Sequence, residues 1–244
     1  MLTTKKDIIL QLRKEILPLQ GFKTLAASNA LSVGLGAVEL AFPNACFPVA
    51  AIHEFICDGQ EFKAATSGFI AGLSASLMRD GGVSVWISSS RNLFPPALKI
   101  FGLEPDKIVF IDLQKEKDML WVMEEALKCE GVATVICELP DISFTASRRL
   151  QLAVEQSRVT GFIIRNQPRY HPVNACIASW KITPLPSDPE EGMPGIGFPR
   201  WNVELRKVRN GKPGSWQLEW SQGRFRILSP LIISTIQEQK RKAG

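Results

Sequence analysis

Short, nearly continuous apolar runs separated by helical stretches dominate the middle of the chain. Glu54-Phe55-Ile56-Cys57, Val83–Ser88, Lys107–Leu113, Ala133–Leu139 and Gly161–Arg165 each have the length and content of a strand covered on both faces. Between them, apolar residues return at helical spacing. After a turn at Asp58-Gly59, the residues Phe69, Leu73 and Leu77 share one face of a long Ala/Gly/Ser-rich helix. Phe94–Phe101 predicts a short helix with prolines in its first turn, Gln114–Cys129 a charged helix, and Ser143–Ser157 a helix opened by Ser/Thr caps. Strands alternating with helices predict an α/β fold, its mainly parallel sheet flanked by helices.

From about residue 175 the pattern becomes alternation. Ala175–Leu185, Arg200–Arg209 and Trp216–Arg226, with a turn signal at Asn210-Gly211, predict antiparallel strands that extend the sheet. Pro184–Pro199 reads as a loop. At the front, Ile8, Ile9, Leu12 and Ile16 place an amphipathic helix over 4–17, stopped by Pro18 and Gly21. At the end, 231–242 reads as a helix closing in Lys240-Arg241-Lys242. The expected organisation is a leading helix over 1–22, a main domain over 23–228, and a C-terminal helix and basic tail over 229–244.

Composition narrows the function classes only a little. The 244 residues are 45% hydrophobic, enough for one sizeable core, and carry a net charge of +5 with a pI near 9.0. That balance is compatible with nucleic acid without requiring it. The five cysteines form no CxxC pair, and with only two histidines the sequence offers no metal site. No apolar run reaches membrane-spanning length, and the first residues lack the apolar core of a signal peptide. The expectation is a cytoplasmic protein with reduced core cysteines and no cofactor.

The first strand, glycine turn and helix occupy the arrangement of a phosphate-binding loop, which needs Gly, four residues, then Gly-Lys-Ser/Thr. Gly59 fits the frame, but Ala64, Ala65 and Thr66 close it. A Cβ at 64 costs roughly 1 kcal/mol where a permissive backbone is needed. A missing lysine at 65 removes a charge-assisted contact of about 1.5–3 kcal/mol. Lys63 lies two positions early. Local pattern alone favours an ordinary strand-turn-helix with a small-residue helix, since one glycine in frame is weak evidence.

The order of parts resembles the RecA core. More closely, the chain resembles the ImuA family, RecA/SulA-like accessory proteins of bacterial inducible-mutagenesis cassettes. The runs that carry the resemblance are AIHEF, AATSGF, WISSSRNLFPPAL, FGLEPDKIVFIDL, LWVMEEALKC, SFTASRRLQLAVE, RVTGFIIRNQPR, ITPLPS and GFPRWNVELRKVRNGKPGSW, spanning roughly residues 40–226. The resemblance implies a phosphate loop by ancestry at Gly59. It places Ser90 where RecA-like ATPases carry a water-activating glutamate, a function typically worth about 10²–10⁴-fold. It makes Glu138, with Asp112 as rival, the metal-side acid, and Asn166 and Gln167 the nucleotide-state sensors. With lysine, glycine and glutamate all replaced, the expectation is a non-catalytic RecA-like adaptor in SOS-type DNA damage tolerance that supports error-prone translesion synthesis. Its implied partners are an ImuB-like polymerase-related protein, a second DnaE-type polymerase, RecA, and single-stranded or damaged DNA, with no membrane. The alternatives are an active RecA/RadA-like ATPase using Lys63, or a SulA-like cell-division inhibitor.

Cations collect late in the chain. Arg165 and Arg169 flank a strand end, and Arg206, Lys207, Arg209 and Lys212 concentrate on the later strands, with Trp201, Trp216 and Trp220 among them. These cations are the candidate DNA-binding residues. The tryptophans are read either as base-stacking platforms or, by strand alternation, as core.

Overall fold

The computed structural model describes residues 33–90, 92–168, 173–187 and 197–231. The helix expected over 4–17 lies outside them, as do the helix and tail expected over 231–244 apart from Leu231, which ends a strand. Among the described residues, nine strands form one sheet: β1 Ile52–Cys57, β2 Val83–Ser88, β3 Ile108–Asp112, β4 Val132–Glu138, β5 Thr160–Asn166, β6 Ala178–Leu185, β7 Arg200–Val208, β8 Gly214–Ser221 and β9 Arg224–Leu231. Their order is β3-β2-β4-β5-β1-β6-β7-β8-β9. Neighbours from β3 through β6 pair in parallel, and β6 through β9 pair antiparallel. This is the α/β architecture expected from the sequence, with a parallel half followed by an antiparallel extension.

Three helices cover the parallel half: α1 Gln60–Leu77, α2 Glu116–Ala126 and α3 Phe144–Ser157. Met119 and Met123 of α2, with Leu150 and Val154 of α3, pack on Ile52, Val85, Ile87, Val135 and Ile163. The residues that alternate with these point to the opposite face, where Phe69 of α1 meets Phe55 and Trp180. With both faces covered, β1 is buried along its whole length, which is why its sequence reads as an unbroken run rather than an alternation.

The small residues of α1 have a packing cause. A Cβ on Gly72 would come within 2.8 Å of both Trp220 and Phe225 rings, and one on Gly68 within 2.7 Å of the Phe101 ring. Glycine lets these rings lie directly against the helix backbone. Trp201 and Trp220 are each 3% exposed, and the Trp220 indole N–H donates to the Ile100 carbonyl at 2.7 Å. Core packing, not base stacking, accounts for these two side chains. Trp216 is half-buried, and its ring lies over Gly214.

Two strands depart from the sequence expectation by three residues or more. Trp216–Arg226 is not one strand but parts of β8 and β9, joined by a tight turn at Gln222 (φ 54) and Gly223 (φ 69). Both residues adopt the left-handed backbone of a two-residue hairpin, a turn more readily recognised as Asn-Gly than as Gln-Gly. β9 therefore continues past residue 228. Likewise β6 begins at Ala178 rather than Ala175. The preceding segment belongs to the crossover from β5 and is anchored where Ala175 N–H donates to Ser147 Oγ (2.9 Å) and Ile177 N–H to the Ile52 carbonyl (2.8 Å).

Candidate functional site at the carboxyl end of the parallel strands

β1 ends at Cys57 and the chain turns through Asp58 and Gly59. Gly59 has φ 144 and ψ −178, a backbone that residues with a Cβ rarely adopt. The helix α1 starts immediately afterwards. The Lys63 N–H donates to the Gly59 carbonyl at 3.0 Å, a first helical bond that spans the four residues expected to form a loop. Gln60 to Lys63 are therefore helix, and Ala64 and Ala65 lie a full turn inside it. Thr66 is fully buried, its hydroxyl accepting the Cys57 thiol at 3.3 Å.

Glu138 ends β4 on the face that carries α1. Its Oε2 lies 2.7 Å from Lys63 Nζ, the two side chains being 11% and 13% exposed. Its Oε1 accepts the Trp86 indole N–H at 3.2 Å. A second pair joins Asp58 to Lys181 of β6 at 2.5 Å, and the Lys181 ammonium also sits 5.6 Å from the centre of the Phe62 ring. Asp112, the rival to Glu138, lies on β3 and accepts the Ser88 hydroxyl at 3.4 Å.

The remaining predicted pocket residues lie at or just beyond the ends of neighbouring strands and make no hydrogen bond to Lys63 or Glu138. Ser90 is exposed, and its hydroxyl accepts from Asn92 at 3.0 Å. Gln167 is also exposed; its backbone N–H donates to the Cys57 carbonyl at 2.7 Å. Asn166 Oδ1 is buried without a hydrogen-bond partner among the described residues. Burial pushes the Cys57 thiol up to about 11, outweighing the Thr66 hydroxyl and the nearby Lys63 charge, so it is not poised as a nucleophile. Burial likewise raises Cys137, and carries Cys176 up to about 12.

The structure divides the predicted DNA-contact residues. Arg165 is 1% exposed, and its guanidinium is held by Glu54 and Asp141. It is a buried structural cation, which removes it from the phosphate-contact candidates. Arg169 lies outside the described residues. Lys207 Nζ donates to the Asn174 carbonyl at 3.3 Å and Arg209 Nη2 to the Ala175 carbonyl at 3.0 Å, so both brace the crossover. Arg206 and Lys212 are exposed.

All four lie where the parallel strands begin. Val208 pairs with Ala178, and Ala178 with His53, whereas Gly59 follows the far end of β1. The separation along the strand direction is roughly 20 Å at about 3.3 Å per residue. The basic hairpin and the turn at Gly59 are therefore two regions, not one.

Sequence reasoning named Lys63 and Glu138 separately and missed their pairing; Lys181 and Glu54 it missed altogether. The available signal was the carboxylate of Glu54 inside a strand read as buried on both faces, which demands a buried partner.

No protein-family model matches the chain. It is 32% identical over 225 residues to Protein ImuA of Caulobacter vibrioides (strain NA1000 / CB15N), covering 85% of this chain and 92% of that protein. The same values hold for Protein ImuA of the strain ATCC 19089 / CIP 103742 / CB 15. A shorter likeness, 29% identity over 98 residues, joins 40% of this chain to 58% of the cell division inhibitor SulA of Serratia proteamaculans (strain 568). Among the described residues, no helix is long and apolar enough to cross a membrane.

Proposed function

The chain belongs to the ImuA family, and from that premise we propose that it is a non-catalytic, RecA-like adaptor of damage-inducible mutagenesis. It works in the cytoplasm and brings together an ImuB-like polymerase-related protein, a DnaE-type polymerase and RecA at single-stranded or damaged DNA. The observation that carries the non-catalytic part is the helical bond from Lys63 N–H to the Gly59 carbonyl. A phosphate cradle needs free backbone N–H groups turned inward around the ligand. Here the helix starts directly after Gly59, so no loop curls around a ligand, and only the N–H groups of Gln60, Glu61 and Phe62 at the helix start stay outside the i→i−4 ladder.

Electrostatics point the same way. The start of α1 is flanked by Asp58 and Glu61, whose negative charges offset the helix dipole that would otherwise attract phosphate. Lys63 and Lys181 are each engaged by a carboxylate. Ser90 offers a hydroxyl, not a carboxylate, for activating water.

The deciding experiment captures partners from DNA-damaged cells with full-length protein and measures phosphate release by the purified protein. Recovery of the two polymerase-related proteins without phosphate release is the expected result. DNA-stimulated phosphate release abolished by Glu138→Ala would instead establish an active ATPase. The partial SulA likeness supports a second reading, a division inhibitor. Filamentation on overexpression with unchanged mutagenesis would select it.

DNA contact is assigned to the basic hairpin. The double variant Arg206→Ala with Lys212→Ala should weaken binding to single-stranded DNA and flatten the slope of log affinity against log salt by about 1.4, roughly 0.7 for each phosphate no longer neutralised. An unchanged slope in a normally folded variant would place the DNA footprint elsewhere.

A further inference from the structure

We propose that the Lys63–Glu138 ion pair is a built-in substitute for a bound nucleotide, holding the carboxyl end of β4 to the first turns of α1 without a ligand. This rests on the non-catalytic reading above and adds what takes the ligand's place. In a ligand-organised strand-loop-helix site, phosphate charge and its cation draw the helix start and a neighbouring strand's carboxylate together. Here the protein supplies both signs itself.

Lys63 is the fourth residue of α1, one turn in from Gly59, and its ammonium meets Glu138 Oε2 at 2.7 Å. The other oxygen of Glu138 is taken by the indole N–H of Trp86, a side chain only 1% exposed. Each carboxylate oxygen thus has its own donor, as a shielded charge requires. The Asp58–Lys181 pair closes the adjacent gap between the turn after β1 and β6. The charged side chains beside the turn after β1, Lys63 with Glu138 and Lys181 with Asp58, are thus engaged with one another.

The test is a double-mutant cycle on the full chain: Lys63→Met, Glu138→Gln and the two combined. Unfolding in urea is followed by circular dichroism, and the melting temperature is recorded with and without millimolar magnesium-ATP. Each single change should lower the urea midpoint. The double variant should lose less than the sum, with a coupling of roughly tenfold in the unfolding equilibrium constant. The wild-type melting temperature should not respond to magnesium-ATP.

Additive losses overturn the substitution. So does a magnesium-ATP stabilisation of the wild type that Lys63→Met abolishes, because Lys63 would then serve a ligand. Should a single variant fail to fold, Lys63→Arg decides: a cooperative transition near the wild-type midpoint supports the pair, and its absence overturns it. The two readings fail separately. Additive losses without phosphate release sink the ion-pair substitute and leave the adaptor standing, whereas phosphate release by the wild type sinks the adaptor reading itself.

Discussion

Replacing Arg165 by methionine should cost the fold about 3–5 kcal/mol, a large share of the roughly 5–15 kcal/mol that holds a domain together. The guanidinium is 1% exposed. Its Nη1 donates to Glu54 Oε1 at 2.5 Å, its Nη2 to Asp141, and its Nε to the Pro140 carbonyl at 3.5 Å. Glu54 is itself only 4% exposed and takes a further bond from Asn174 Nδ2 at 2.9 Å. Removing the arginine leaves a carboxylate in the middle of the central strand facing the neutral Asn174 amide, far from enough to balance a desolvated charge.

The companion variant Glu54→Gln with Arg165→Met should recover part of the loss, because neither member then remains charged and unpaired. Urea unfolding checks both. A loss below about 1 kcal/mol for Arg165→Met, typical of a solvated ion pair, would return this residue to the surface and to the DNA-contact set.

The contrast between Arg165 and its neighbours explains what the sequence could reveal. Strand positions were readable because burial on two faces leaves a run such as Val83–Ser88 or Glu54-Phe55-Ile56-Cys57 with no period to confuse. The antiparallel extension was readable because Trp201, Val203 and Leu205 alternate with Asn202 and Glu204. The arginine's role was not readable. It depends on the β1–β5 register, which sets Arg165 opposite Ile56 and brings its side chain to Glu54, 111 positions away in sequence. Near Pro168 and Arg169, the same residue reads as the start of a basic surface.

The site at Gly59 was half-legible for a related reason. A spacing of Gly, four residues and Ala-Ala-Thr says nothing about whether those four residues curl around an anion or continue a helix. Gln60, Glu61 and Lys63 are all good helix formers, and Gly59 provides the break that lets the helix begin directly after it. Lys63, two positions early for a phosphate loop, is one turn into a helix and within reach of Glu138. The apparent misalignment of the motif is the geometry of the ion pair.

The aromatic cluster beneath α1 carries the second large expectation, a loss of stability in mild acid. His53 is fully buried, stacked on Phe47 at a centroid distance of 4.5 Å and flanked by Phe162 and Trp180. Its Nε2 is 2.7 Å from the Pro48 carbonyl, and its Nδ1 accepts the Trp180 indole N–H at 3.3 Å. That pattern fits a neutral ring protonated at Nε2 alone. Burial, opposed by the Pro48 hydrogen bond, lowers its pKa from 6.5 to about 4.

The unfolded chain therefore takes up a proton near pH 6.5 that the folded chain refuses until about pH 4. The contribution of the neutral ring is complete above pH 6.5, declines as pH falls, and is lost by about pH 4, an expected total of about 3 kcal/mol at 1.36 kcal/mol per pH unit. Urea unfolding of wild type and His53→Phe across this interval isolates it, since other groups titrate in both proteins. The wild type should lose about 3 kcal/mol more than the variant between pH 6.5 and pH 4. Parallel pH profiles would mean that this imidazole is protonated inside the fold, with its ring turned to bring Nδ1 to an acceptor in place of the Trp180 donor.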